Sequence, residues 1–526
     1  MATKSIIEIV RDARRASTFR RTSTFNSDFL ITRLPDKLML RILSYLSHTE
    51  LCSIARVCKQ WRRLAYDSSL WQSLNLRPEY GGMSVRSVDD VLNLIHHRSG
   101  SGLKQIELPS DLITVPVLEE LGNRCPGLRK LTLDFSNAMQ LHDFNELASF
   151  PSSLNHLCIC LSDVIFMEGL MRKIYPCLSS LSILHLIGTF EQATEEEEEI
   201  YEVINLSKIK AHTPNLRVIN LYGINFIEDS HVELLATNCI HLEVIALSFC
   251  LNVKGSSFAL LITNCTKVKT LLLEHCGLQD AFMMAAPWEK SHICELDITS
   301  TELSAECLEN FIPRVPFFTY LAVGHTDFFG DKFYLAKLFT FQLLNRLCET
   351  GKFLQLKAID LSYTPSLSEQ AVTNFLKNHG ANLEGLMLQG KPALAEYFWT
   401  TIIPTLKSIR ICVLGASHGW FFKYNTRVHI DKVLEGFSAY CPNLEALEIQ
   451  WDPDTIRFSD KSRKFIDRIR LKCTRLKTLT LSDGKYYEMV KGNFERAECP
   501  RVVRTSTTYN TSIVSLLKDY KYLCFN

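Results

Sequence analysis

At 526 residues the chain is too long for one ordinary hydrophobic core, so it is built either from several domains or from a repeat array that grows in one dimension. Its 46% hydrophobic and 22% charged residues are those of a folded protein and exclude a largely disordered one. A net charge of +1 leaves no global electrostatic reason to expect nucleic acid or an anionic membrane as the main partner.

At the N-terminus, Glu8 and Arg11 interrupt the apolar pair Ile6-Ile7, so no secretory signal is expected. The longest charge-free stretch, Pro176 to Phe190, is shorter than the roughly 18 residues that span a bilayer. Eighteen cysteines with no export signal read as reduced thiols of a cytoplasmic or nuclear protein. No C-x2-C pair occurs, and Cys158 and Cys160 have no matching second pair, so neither a metal site nor a cofactor is expected. A basic tail over 1–29 carries Arg14-Arg15-Ala16-Ser17 and Arg20-Arg21-Thr22-Ser23. Both are similar to the R-R-x-S pattern of basophilic kinases, which makes Ser17 and Ser23 candidate phosphorylation sites where phosphate would reverse the local charge.

Residues 30–76 have helical periodicity. Leu34-Pro35 opens the segment, with proline suited to a first helical turn, and Leu38, Ile42 and Tyr45/Leu46 follow at steps of four and three as one apolar face. Ser47-His48-Thr49-Glu50 fits a capping box, so a second helix is predicted to begin there and to carry Leu51, Ile54 and Cys58 inward. Trp61, Leu64, Leu70 and Trp71 complete the apolar set. A module this small is marginal alone and gains stability from a partner.

From about residue 100 an apolar-x-x-apolar-x-apolar template recurs fourteen times, from Leu103/Ile106/Leu108 to Leu476/Leu479/Leu481, mostly at steps of 25 to 27 residues. The last copies include Leu406/Ile409/Ile411. The spacing lies in the leucine-rich-repeat range. The second and third apolar residues sit two apart and so point to one side of a short strand, into the core. A helix-like stretch follows each strand, and no unit buries its apolar side without a stacked neighbour. The predicted fold class is therefore α/β: a leucine-rich-repeat solenoid over 77–484, with parallel strands on the concave face and helices on the convex face, behind a small all-α module. Insertions are expected near 188–210, 324–353 and 413–435, and a cap or tail over 485–526. The pattern resembles the cysteine-containing subclass, because Cys239-Leu242-Ile245-Leu247-Cys250 returns one repeat later as Cys265-Val268-Leu271-Leu273-Cys276. A common register implies a stacked column of small buried thiols, and structural thiols are favoured over a nucleophile, which needs a base or cation and partial exposure.

The run from Leu34 to Leu74 resembles the F-box motif through Leu34-Pro35, Leu38, Ile42-Leu43, Tyr45-Leu46, Leu51, Val57-Cys58, Trp61-Arg62-Arg63-Leu64 and Leu70-Trp71. It departs from the family pattern at Lys37, where an acid is common, and at His48, where proline is common. With the repeats behind it, almost the whole chain from residue 30 resembles the F-box/leucine-rich-repeat family. That resemblance implies a non-catalytic substrate receptor of a Skp–cullin–F-box ubiquitin ligase, whose module docks the Skp linker and whose horseshoe holds a target protein near the transfer machinery. It implies Leu34, Pro35, Leu38, Leu46, Leu51 and Trp71 as linker-binding residues, although each is also suited to the module's own core.

Outward strand positions, among them Glu107, Asn220, Leu272, Asp297, Met387 and Arg410, are expected to line the concave surface with sparse, mixed charge. Two insertions are rich in aromatics: Phe328 and Phe329 in one, Trp420, Phe421, Phe422 and Tyr424 in the other. These are candidate target contacts, or else they pack beneath their own insertions. The acidic run Glu195 to Glu199 reads as a solvated segment. Two further readings remain open: a repeat scaffold whose module acts outside ubiquitin transfer, and an enzyme, for which no P-loop, G-x-S-x-G, H-E-x-x-H or dinucleotide fingerprint is present.

Overall fold

The computed structural model describes residues 34–138, 142–161, 167–188, 205–324, 339–364, 366–390, 394, 396–416, 428–451, 456–457, 462–481 and 501–504. The chain divides into two compact units, Met1–Leu70 and Trp71–Asn526.

Among the described residues of the first unit three short helices follow one another, Asp36–Leu43, His48–Ile54 and Lys59–Ala65. The predicted capping box is present: the Glu50 amide donates to Ser47 Oγ at 3.3 Å and the Ser47 amide donates to Glu50 Oε2 at 2.9 Å. Leu51 and Ile54 point inward as expected, but Cys58 does not. The second helix stops at Ile54, and Cys58 becomes the N-cap of the third, its sulfur accepting from the Trp61 amide at 3.4 Å. Capping needs an extended residue at the helix mouth, which turns the thiol outward.

Among the described residues of the second unit sixteen strands form one parallel sheet in chain order. Fourteen correspond to the template copies, running from Gln105–Pro109 to Thr478–Leu481. Two more, Ser73–Asn75 and Arg501–Arg504, lie at the ends, where terminal repeats depart from the consensus. One copy is shifted. The strand Ile411–Ala416 pairs Cys412 with Leu386 and Leu447, and Val413 with Met387 and Glu448. The inward triad is therefore Ile409, Cys412 and Leu414, all 0% exposed, and Val413 replaces Arg410 in the concave column. Both frames satisfy the apolar template, and a shift by an odd number of residues exchanges the two faces of a strand.

Inward residues such as Leu271, Leu296 and Ile359 are fully buried, and the helices that follow the strands stack on one another, as in Asp229–Asn238, Phe258–Asn264 and Asp280–Ala285. At the strand exits Phe249, His275, Ser300 and Tyr363 hold positive φ of 53 to 64°. They continue a column with Gly223 and Gly390. A left-handed residue is costly without glycine, so repeat stacking enforces this turn. Carboxamide and carboxylate groups at the preceding concave position support it, with Asp297 Oδ1 accepting from the Thr299 amide and Asp360 Oδ1 from the Ser362 amide.

The thiol column is present. Cys250 Sγ donates to the Leu221 carbonyl at 3.1 Å and Cys276 Sγ to the Leu247 carbonyl at 3.0 Å, each reaching back one repeat. Cys473 Sγ likewise donates to the Cys441 carbonyl at 3.3 Å. Burial pushes Cys239 and Cys265 up to about 11 and Cys250 up to about 12, which withholds the thiolate that nucleophilic chemistry needs. Cys276→Ala is expected to cost about 1–2 kcal/mol through the cavity and the lost hydrogen bond; urea denaturation measures it, and an unchanged midpoint would refute the column's stabilising role.

Candidate functional site

Two surfaces follow from this architecture. The first lies on the helical module. Along Asp36–Leu43 the residues turned inward are Met39 and Leu43, 1% and 2% exposed. The predicted stripe therefore faces outward: Leu38 is 49% and Tyr45 54% exposed, Pro35 is exposed, and Ile42 is half-buried. Val57 adds a further exposed apolar side chain. Large apolar groups left in water on so small a unit mark an interaction surface.

The six residues implied as linker-binding divide between two environments. Pro35 and Leu38 are exposed, Leu34 and Leu46 are half-buried, and Leu51 and Trp71 are 1% exposed. Trp71 belongs to the repeat unit, where the Arg98 guanidinium lies 5.9 Å above its ring. Tyr45 and Val57 were not singled out as binding residues, although Tyr45 continues the i, i+4, i+7 stripe that begins at Leu38. At the departures from the motif, Lys37 is exposed and His48 Nε2 lies 3.2 Å from the Leu70 carbonyl. Burial lowers the His48 pKa, and the Leu70 carbonyl opposes the shift.

The second surface is the concave side of the sheet. Thr132, His185, Asn220, Asp297, Asp360 and Met387 stand in its central column, and none is more than 5% exposed. The open, sparsely charged surface expected there is thus buried along most of its length, with Glu107 and Glu448 half-buried toward the ends. Near the N-terminal end Arg77 Nη2 pairs with Asp134 Oδ2 at 2.6 Å, and its guanidinium lies 3.6 Å from the Tyr80 ring centroid. The His156 and His185 rings lie 5.0 Å apart. Burial pushes His156 down to about 4, helped by Lys130, and His185 down to about 3, helped by His156. Neutral His185 accepts at Nδ1 from the Asn220 amide nitrogen at 3.2 Å. Farther along, burial and the neighbouring Asp297 and Asp360 push the Glu274 carboxyl well up. Below the column charges alternate between repeats: Arg410 joins Glu445 at 2.8 Å and Glu384 at 3.1 Å, and Lys477 joins Glu445 at 2.8 Å.

The aromatic candidates Phe328, Phe329, Trp420, Phe421, Phe422 and Tyr424, the acidic run Glu195 to Glu199, and Ser17 and Ser23 lie outside the described residues. Among the described residues no helix is long and apolar enough to cross a membrane, and no group of three His, Cys, Asp or Glu could hold a metal ion.

Residues 31–77 match the F-box-like domain family. The human F-box/LRR-repeat protein 12 is 28% identical over 132 residues, 24% of this chain and 39% of the relative. The F-box protein SKIP19 of Arabidopsis thaliana is 26% identical over 227 residues, 42% of this chain and 70% of the relative. The chain carries an F-box-like segment and is similar to F-box/leucine-rich-repeat proteins. Its outward stripe lies inside the F-box-like segment, and its sixteen-stranded sheet is the repeat part. Among solved structures, a chain of the yeast Rad7 and Elc1 complex aligns with a TM-score of 0.40 at 14% identity, covering 88% of this chain and 96% of that one.

Proposed function

We propose that this protein is the substrate-recognition subunit of a Skp–cullin–F-box ubiquitin ligase: a non-catalytic adaptor, cytoplasmic or nuclear, whose F-box docks the Skp linker and whose repeat unit holds a target protein. The observation that carries this reading is the exposed stripe Pro35, Leu38 and Tyr45 on a module whose inward face is already filled by Met39, Leu43, Leu51 and Ile54. A filled inner face leaves the outer one for a partner, and contact with that partner supplies the stability a unit of this size lacks. The adaptor needs no catalytic group of its own, because raising the effective concentration of a target near a charged transfer enzyme is sufficient.

Co-purification of the Skp linker and a cullin with the intact chain, followed by ubiquitination of a bound protein, tests the proposal. Linker recovery without cullin would favour the scaffold reading, and no linker recovery by a folded chain would remove both. Target contact is assigned to the aromatic insertions around Phe328-Phe329 and Trp420-Phe421-Phe422-Tyr424, since aromatic side chains dominate interface energetics. The double change Trp420→Ala, Phe421→Ala is expected to weaken target capture about tenfold or more; capture at the original level by a normally folded variant would remove that assignment.

A further inference from the structure

The last described helix, Ser462–Lys472, carries charge of nearly one sign. Residues 462–477 hold seven Lys or Arg and one acid, Asp467, in a chain whose net charge is only +1. The helix one repeat earlier, Ile430–Tyr440, has Asp431, Lys432 and Glu435, the mixed charge of an ordinary solvated face. On the inward side of Ser462–Lys472, Ile466 and Ile469 are fully buried. On the outward side Lys464, Arg468 and Leu471 recur at steps of four and three, and Arg475 continues the stripe just past the helix end. Three cations of the segment are paired: Arg468 with Glu435 at 3.2 Å, Arg470 with Asp467 at 2.9 Å and Lys477 with Glu445 at 2.8 Å. Arg463, Lys464, Lys472 and Arg475 are exposed and have no ion pair among the described residues. Leu471, 62% exposed, lies among them. Tyr440, 49% exposed, ends the neighbouring helix, and the hydrogen bond from Cys473 to the Cys441 carbonyl sets the two helix ends side by side.

We propose that this outer face docks reversibly on an anionic membrane surface. Like charges gathered on one face repel one another, and a surface of opposite sign relieves that repulsion. The other side chains select which anionic partner fits. Lipid headgroups engage the cations, while Leu471 and Tyr440 enter the boundary between headgroups and acyl chains, where aliphatic and amphipathic aromatic groups are both stabilised. Nucleic acid would engage the cations through phosphate and leave Leu471 in water. An acidic peptide needs a groove or a free sheet edge to hold it, and the outer face of a stacked helix supplies neither. Each Lys or Arg close to an anionic surface strengthens binding about fivefold, so four unpaired cations give attachment without a spanning helix. The attachment is separate from linker docking, which uses the F-box module, and it brings a captured target to the membrane surface.

Co-sedimentation of the full chain with phosphatidylcholine vesicles, with and without phosphatidylserine, tests this. The natural chain is expected to bind only the vesicles containing phosphatidylserine and to be released as salt rises from about 0.1 M to about 0.5 M. The double variant Lys464→Gln, Lys472→Gln changes two exposed side chains, keeps its circular dichroism, and is expected to bind at least about twentyfold more weakly. Leu471→Ser is expected to weaken binding several-fold at unchanged charge. Equal binding by the natural chain and the double variant, or no binding of the anionic vesicles by the folded natural chain, would overturn the proposal. Binding of a duplex oligonucleotide or of poly-glutamate in place of the vesicles, lost in the double variant, would also overturn it and assign the face to nucleic acid or to an acidic protein.

Discussion

Changing Leu38 and Tyr45 together to aspartate is expected to reduce recovery of the Skp linker by at least about a hundredfold, since buried apolar anchors of an interface each contribute about 2 kcal/mol or more. Both side chains are about half exposed, so the double variant leaves the packing of the module intact and its circular dichroism unchanged. Leu51→Ala provides the contrast. Leu51 is 1% exposed, and its truncation is expected to cost about 2–4 kcal/mol of module stability, lowering recovery through unfolding rather than through the contact. Trp71→Ala perturbs the repeat unit, in which that ring is buried, and is a poor probe of docking. Parallel pull-down and thermal melts separate these cases. Full linker recovery by the Leu38/Tyr45 variant would show that the exposed stripe is not the docking face.

Acidification is the second strong test. The His156 and His185 pKa values lie near 4 and 3 in the folded protein against 6.5 for an ordinary histidine. Between those limits the unfolded chain binds protons that the folded chain refuses, so stability is intact above about pH 6.5 and falls as pH drops below it. Each histidine is expected to remove about 2 kcal/mol by about pH 5, a large share of a typical total. Glu274 acts in the opposite sense, because its raised folded pKa penalises the charged form, and that penalty is relieved on acidification. Urea midpoints at about pH 7 and about pH 5 are expected to differ strongly in the natural chain. They are expected to converge in the His156→Gln, His185→Gln variant. An equal pH slope in that variant would assign the acid sensitivity elsewhere.

Much of the architecture was legible because the repeats restate it. The same triad, met fourteen times, made the inward pairing of Leu271 and Leu273 unambiguous, and the cysteine spacing anticipated the buried thiol column, whose sulfur-to-carbonyl bonds across repeats emerge only in the folded chain. The template failed where apolar residues were too plentiful or too few. At Leu406 to Leu414 two frames fitted; Trp71, Leu74 and Leu76 at the Ser73–Asn75 strand keep the template spacing but were read with the helical module, and Arg501–Arg504 lacks that spacing because Val502 and Val503 are adjacent. The linker-binding residues were only partly legible, because a stripe at helical spacing reads the same whether it is buried or left for a partner.

Residue order alone determines the parallel repeat sheet, the helical module ahead of it and the capping box at Ser47, since each depends on local periodicity or on groups within a few positions. Which way the Leu38 stripe faces was decided only in the folded chain, where Met39 and Leu43 filled the interior and left Leu38 and Tyr45 in water. Burial of the concave column was likewise decided only in the folded chain. Contacts between segments hundreds of residues apart leave no periodic signal, because the free energy that selects them is summed over the whole packed surface rather than written into any one stretch.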